Sequence, residues 1–130
     1  MVLQKNAEVS IWGWEKAGDT ISITGSWDNE TVRATTNQDS KWIAKLNTPT
    51  AKTDGTSYSI KISGTNTITL SNVLIGEVWL LSGQSNMEMQ LAGWDGSPIE
   101  GSAQAIANAN FPKIRLLKVN KYTAAEPQKD

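Results

Sequence analysis

The sequence predicts an antiparallel β-sandwich over residues 1–71, followed over residues 72–130 by the first β-α-β part of an incomplete α/β domain. Three observations carry that prediction. Apolar residues recur two apart in a series of short runs as far as Leu70, which is the pattern of strands with one face in a core and one in water. At Val78–Leu81 the alternation stops and four apolar residues stand in a row, as in a central strand covered on both faces. A tight turn at Ser82-Gly83 then leads into a helix-forming stretch that begins near Ser85.

The alternating pairs and triplets define the expected strands in order: Ile21 and Ile23; Val32 and Ala34; Trp42, Ala44 and Leu46; Tyr58, Ile60 and Ile62; Ile68 and Leu70. Turn signals separate them, at Ala17-Gly18-Asp19, Trp27-Asp28-Asn29, Asn37–Ser40, Thr53-Asp54-Gly55 and Gly64-Thr65-Asn66. Short strands at this spacing suggest a small sandwich. The longest polar connection, Asn47–Gly55, contains Pro49 and makes a poor strand.

Beyond the run at Val78–Leu81, Asn86–Leu91 is expected to make a short helix with Met87 and Leu91 on one face, where core packing is the plain explanation. Ala92–Gly96 reads as a loop carrying Trp94. Ser97-Pro98-Ile99-Glu100 has the form of a capping box with proline at the first helical position, so a second, Ala-rich helix is expected to start there and to stop before Pro112. Ile114–Val119 reads as a second strand, and Thr123–Asp130 as a polar tail with no period. Two strands and their helices do not close a parallel sheet, so further strands are expected beyond Asp130 or on another chain.

Composition narrows the function. Twelve basic residues against thirteen acidic ones leave a formal charge of −1, which argues against nucleic acid as a partner. No apolar run has the length of a membrane span, and no basic-then-apolar leader opens the chain; Met1–Gln4 reads as the inside of a domain. With neither cysteine nor histidine, neither a disulfide nor a zinc site is expected, and nothing calls for a cofactor. Tryptophan is abundant, at positions 12, 14, 27, 42, 79 and 94. Most of these are expected in the core; the remainder would suit the apolar faces of pyranose rings.

Ser85 is the candidate site residue. A serine at a strand-to-helix turn is where many α/β hydrolases hold a nucleophile. The same serine also fits a helix N-cap, because Ser85-Asn86-Met87-Glu88 has the capping-box form with Glu88 reaching back. The residues by themselves leave both readings open.

A resemblance adds to this. Gly83-Gln84-Ser85-Asn86-Met87, preceded by Gly76–Ser82, resembles the first block of the sialate O-acetylesterase family, within the SGNH (GDSL-like) hydrolases. Met1–Gln4, Ile11-Trp12-Gly13-Trp14, the join at Asn72–Gly76, Leu91–Trp94 and Pro112–Leu116 are similar to that family as well, so nearly the whole chain is covered. The resemblance implies an SGNH-type hydrolase domain and an esterase that removes acetyl groups from sugar hydroxyls, typically those of sialic acid. It also implies a periplasmic or secreted location. Ser85 takes the place of the nucleophile, and its backbone N–H, at a helix start, is an expected oxyanion donor.

The departure from the family lies in its later blocks, which are not recognisable here. Those blocks hold the Asp-x-x-His pair and the other oxyanion donors, a glycine and an asparagine, and Asn86 does not take that asparagine's role. Serine catalysis needs a base. Glu88 lies one helical turn away but reads as a cap or a solvated helix residue. The chain alone is therefore expected to be nearly inactive, with another chain supplying the missing half of the domain as one remedy. The alternative from a different class is a non-catalytic carbohydrate-binding β module, motivated by the tryptophans.

Overall fold

The computed structural model describes residues 1–120 and 122–126. Strands dominate it. The expected alternating runs all become strands: β3 (Thr20–Gly25), β4 (Thr31–Thr35), β5 (Lys41–Asn47), β6 (Tyr58–Ser63) and β7 (Thr67–Gly76). Two more precede them, β1 (Val2–Gln4) and β2 (Glu8–Trp14). Five strands form one mixed sheet in the order β1-β7-β6-β3-β4, and β2 pairs with β5 as an antiparallel ribbon. Within the larger sheet β1 runs parallel to β7, with Val2 opposite Leu74 and Gln4 opposite Gly76; the other pairs are antiparallel.

The period-two pattern translates directly into burial. In β5, Trp42, Ala44 and Leu46 are buried while Lys41, Ile43 and Lys45 face out. These inward residues join Ile11 of β2, Ile21 and Ile23 of β3, Ile60 of β6 and Val73 of β7 in a single core. Ile23, Ile60 and Val73 are entirely shielded from solvent. Gly13 occupies an inward position in β2 because the Trp42 indole fills the space: a Cβ there would lie 2.8 Å from Trp42 Cζ2. The corner between β1 and β2 is held by Thr48, whose buried hydroxyl lies 2.6 Å from the carbonyl of Gln4 and accepts the Ala7 N–H at 3.1 Å.

β7 is irregular. Its register against β6 moves from Ile60–Leu70 to Tyr58–Val73, so β7 carries one extra residue there, and Asn72 adopts a left-handed φ of 56°. A bulge of this kind bends the strand and redirects a side chain. The change of sequence pattern near residue 72 falls at this bulge, and β7 continues in the sheet through Gly76.

The second part of the chain departs from expectation in five respects. The first helix, expected over Asn86–Leu91, spans Ser85–Glu88, so Leu91 lies outside it, and Met87 and Leu91 are exposed rather than packed in a core. Val78–Leu81 is not a strand, and its side chains are exposed, Leu80 by 93%. Ile114–Val119 is likewise unpaired, with Leu116 and Leu117 more than nine-tenths exposed. The reason is the same for both: a strand exists only where a neighbour takes its N–H and C=O groups, and no described residue offers that neighbour. The second helix, α2, spans Ser102–Ala107 rather than starting at Ser97. Ser97-Pro98 instead pairs with Gly93-Trp94 in a minimal hairpin (β8 Gly93–Trp94, β9 Ser97–Pro98), where a simple loop was expected around Trp94. Gly101, at φ 73°, cannot continue a right-handed helix, so α2 begins after it. It ends well before Pro112, as expected. Of the polar tail Thr123–Asp130, residues 127–130 lie outside the described residues.

The tryptophans are also corrected. Trp42 is buried and Trp27 half-buried, its indole N–H donating to the Asn47 carbonyl at 2.9 Å and its ring edge-on to Tyr58. Trp12, Trp14, Trp79 and Trp94 are exposed, so most of the six are not core residues. Trp12 and Trp14 alternate with the inward Ile11 and Gly13 and therefore face out of the ribbon.

Candidate active site

Ser85 opens a four-residue helix, α1 (Ser85–Glu88). The N-cap is Gln84, in a non-helical conformation, and its carbonyl accepts the N–H groups of Met87 and Glu88 at 3.0 and 3.2 Å. No side chain caps the helix, so the expected capping box, with Ser85 as N-cap and Glu88 reaching back, does not form. The cause is one residue of register. Ser85 is already helical, and its hydroxyl is not placed to accept from the third turn position. The first N–H groups of a helix lack partners within it, and the Ser85 N–H is among them.

The turn before Ser85 is closed by a side chain. A Cβ on Gly83 would sit 2.6 Å from Met87 Cγ, so the Met87 stem lies across the glycine, and a larger residue would push it away. Ser85 itself is exposed. Its hydroxyl has no hydrogen-bond partner among the described residues, and the chain has no histidine to provide one.

Ser85 lies in an open depression of about 500 Å³. One wall is the segment from Leu81 to Glu88; the other is Lys118 and Val119. The two segments expected as strands thus both contribute to the depression around the candidate serine, although neither is paired in a sheet. Among the described residues no group of three or more carboxylates gathers to hold a metal ion, and no helix is long and apolar enough to cross a membrane.

The approach to Ser85 is held from β1. The Gln4 side chain accepts the Val78 N–H at 2.8 Å and donates to Glu77 Oε2 at 2.9 Å. Lys5 Nζ meets Glu77 Oε1 at 2.8 Å. The Gln4 hydrogen bond, with that of Lys5 and the Lys5 charge, holds the Glu77 carboxyl below its usual range. Three residues before Lys118, Arg115 donates to the Met1 carbonyl at 2.9 Å and to both the carbonyl and the side-chain oxygen of Asn72. Gln4, Asn72, Arg115 and Lys118 were not singled out by sequence. Gln4, Asn72 and Arg115 lie in segments that resemble the family, but no role was read for them, because their partners are far away along the chain.

No model of a protein family matches this chain. Known proteins do. The whole chain aligns at 29% identity with human sialate O-acetylesterase, covering 25% of that protein, and at 29% with the rat enzyme, covering 24% of it. A crystal structure of a carbohydrate acetylesterase from Xanthomonas citri superposes with a TM-score of 0.82 and 30% identity over 98% of this chain and 27% of that one. The chain thus spans about a quarter of the length of the curated relatives it matches.

Proposed function

We propose that this chain, which belongs with the sialate O-acetylesterases along its whole length, forms the N-terminal part of a carbohydrate O-acetylesterase: a β-sandwich to about residue 71, then the first β-α-β of an SGNH-type hydrolase domain. The observation that carries the reading is Ser85, exposed in an open depression at the start of α1. In the reaction, Ser85 Oγ bonds to the acetyl carbonyl carbon while a base takes its proton. The sugar oxygen leaves with a proton, and water then releases acetate from the serine. The Ser85 N–H faces the developing oxyanion. The base is not in this chain, which has no histidine; it comes from the remainder of the hydrolase, in the same polypeptide or a partner chain. The substrate is an acetylated sugar, met in the periplasm or outside the cell.

The polypeptide that carries this chain in nature should release acetate from an O-acetylated sugar, and these 130 residues alone should release almost none. Acetate release by the isolated chain, lost on Ser85→Ala, would show that it holds its own base and overturn the division of labour. Failure of the natural polypeptide to hydrolyse any acetylated sugar would overturn the function.

A second reading, a non-catalytic sugar-binding module, is favoured by Trp12 and Trp14, exposed on one face of β2 with Lys41 Nζ 5.7 Å from the Trp14 ring centre. Isothermal titration with oligosaccharides separates the two. Binding that survives Ser85→Ala and disappears on Trp12→Ala or Trp14→Ala supports the module; no binding by the parent chain removes it.

A further inference from the structure

The two walls of the Ser85 depression have no sheet around them among the described residues, yet the chain leading to one is tied to Gln4 at the end of β1 and the chain leading to the other to Met1, just before its start. Gln4, the last residue of β1, uses both ends of its amide. The oxygen accepts the Val78 N–H at 2.8 Å, and the nitrogen donates to Glu77 at 2.9 Å. The adjacent Lys5 adds its N–H to the Gly76 carbonyl at 2.8 Å and its ammonium to Glu77. Together these bonds fix the point where the chain leaves β7 for Ser85.

At the other end of β1, the Met1 carbonyl accepts both the Leu74 N–H at 3.0 Å and Arg115 Nη1 at 2.9 Å. The second nitrogen of Arg115 donates to Asn72 Oδ1 at 2.6 Å. The bulge explains why Asn72 is available: its left-handed backbone lies where the register of β7 shifts, and its carbonyl and side chain meet the guanidinium together. Arg115 is half-buried and precedes Lys118, on the second wall, by three residues.

β1 is itself held by its parallel ladder to β7. It therefore acts as a common ruler for both walls. We propose that Gln4 and Arg115 are positioning residues: through β1 they set the separation between the Ser85 turn and the Lys118 segment. The chemistry of each contact explains the residue type. A glutamine amide offers an acceptor and a donor at once, which glutamate cannot do beside Glu77. The arginine fork reaches three acceptors on two residues, which a lysine ammonium does not reproduce. The catalytic consequence rests on the reading of Ser85 as nucleophile; the positioning itself does not.

The absence of cysteine makes the test direct. Spin labels on Asn86→Cys and Lys118→Cys in the full chain report the distance across the depression by electron-spin resonance. A narrow distribution is expected in the parent, broadened by Gln4→Ala and by Arg115→Lys. It should be unchanged by Lys45→Ala, which breaks the exposed 2.6 Å pair with Glu8 on the β2–β5 ribbon. The same substitutions, without labels, in the natural polypeptide should lower kcat for acetate release roughly 10- to 100-fold with KM little changed, the cost of a misplaced reacting group. An unchanged distance distribution in both variants overturns the proposal, and so does a broadened distribution with full kcat. If the unsubstituted polypeptide releases no acetate, the esterase reading fails, and the distance measurement alone decides the positioning.

Discussion

Ser85→Ala in the natural polypeptide that carries this chain is expected to lower kcat for acetate release by on the order of 10⁶, the scale on which deletion of a serine nucleophile acts in a comparable hydrolase. KM should move little, because the Ser85 side chain is a small part of the surface that meets a sugar and has no partner among the described residues to lose. The size of the loss separates the two roles that sequence left open for this serine. Removing an N-cap costs about 1 kcal/mol of stability and leaves chemistry in place. In the structure the cap belongs to Gln84 and no side chain fulfils it, so Ser85→Ala should leave the unfolding midpoint where it was. A variant that keeps most of its turnover would remove Ser85 from the nucleophile's role. A variant that loses turnover only by unfolding would do the same, and a urea titration beside the assay distinguishes these cases.

Ile60→Ala should cost about 2–5 kcal/mol of stability, as large-to-small changes do at fully packed sites. Ile60 is completely buried at the centre of the five-stranded sheet, paired with Gly25 of β3 and Leu70 of β7. It sits in one core with Ile21, Ile23, Trp42 and Val73. A small domain is stable by only about 5–15 kcal/mol in total, so this single change removes a large part of it. Ile68→Ala is the matched control. It removes the same atoms from an exposed position on the adjacent strand β7, where about 0.5 kcal/mol or less is expected. Urea midpoints for the two variants measure the contrast. Equal losses would mean that Ile60 is not where the core carries its burial energy.

The contrast between Ile60 and Ile68 also marks how far sequence could be read. Both sit in alternating runs, and alternation identified both as strand residues. It did not say which of the two would be covered, because coverage depends on which residues of other strands pack against each. The Trp residues make the same point: Trp12 and Trp14 face out because they are in phase with Ser10 rather than with Ile11, and composition carries no phase. For the candidate site, the motif around Ser85 was legible through its likeness to known esterases. The two walls were recognised as apolar segments and expected as strands, but they stand unpaired among the described residues, since an apolar run describes what a segment would bury and not whether a partner is present.

By itself, then, the sequence determined five of the strands, the position of Ser85 at a turn into a helix, and the lack of any histidine to activate it. These follow from local rules, the two-residue period of a pleated strand and the residue types that chemistry requires. Tertiary structure alone decided that β1 runs parallel to β7, that Asn72 sits in a bulge, and that Arg115 spans 114 residues of sequence to reach the Met1 carbonyl. Those contacts join groups distant in the sequence, and most of them are backbone groups that every segment carries, so no local pattern announces them. They are selected when the folded sheet brings one particular carbonyl to one particular guanidinium, and not before.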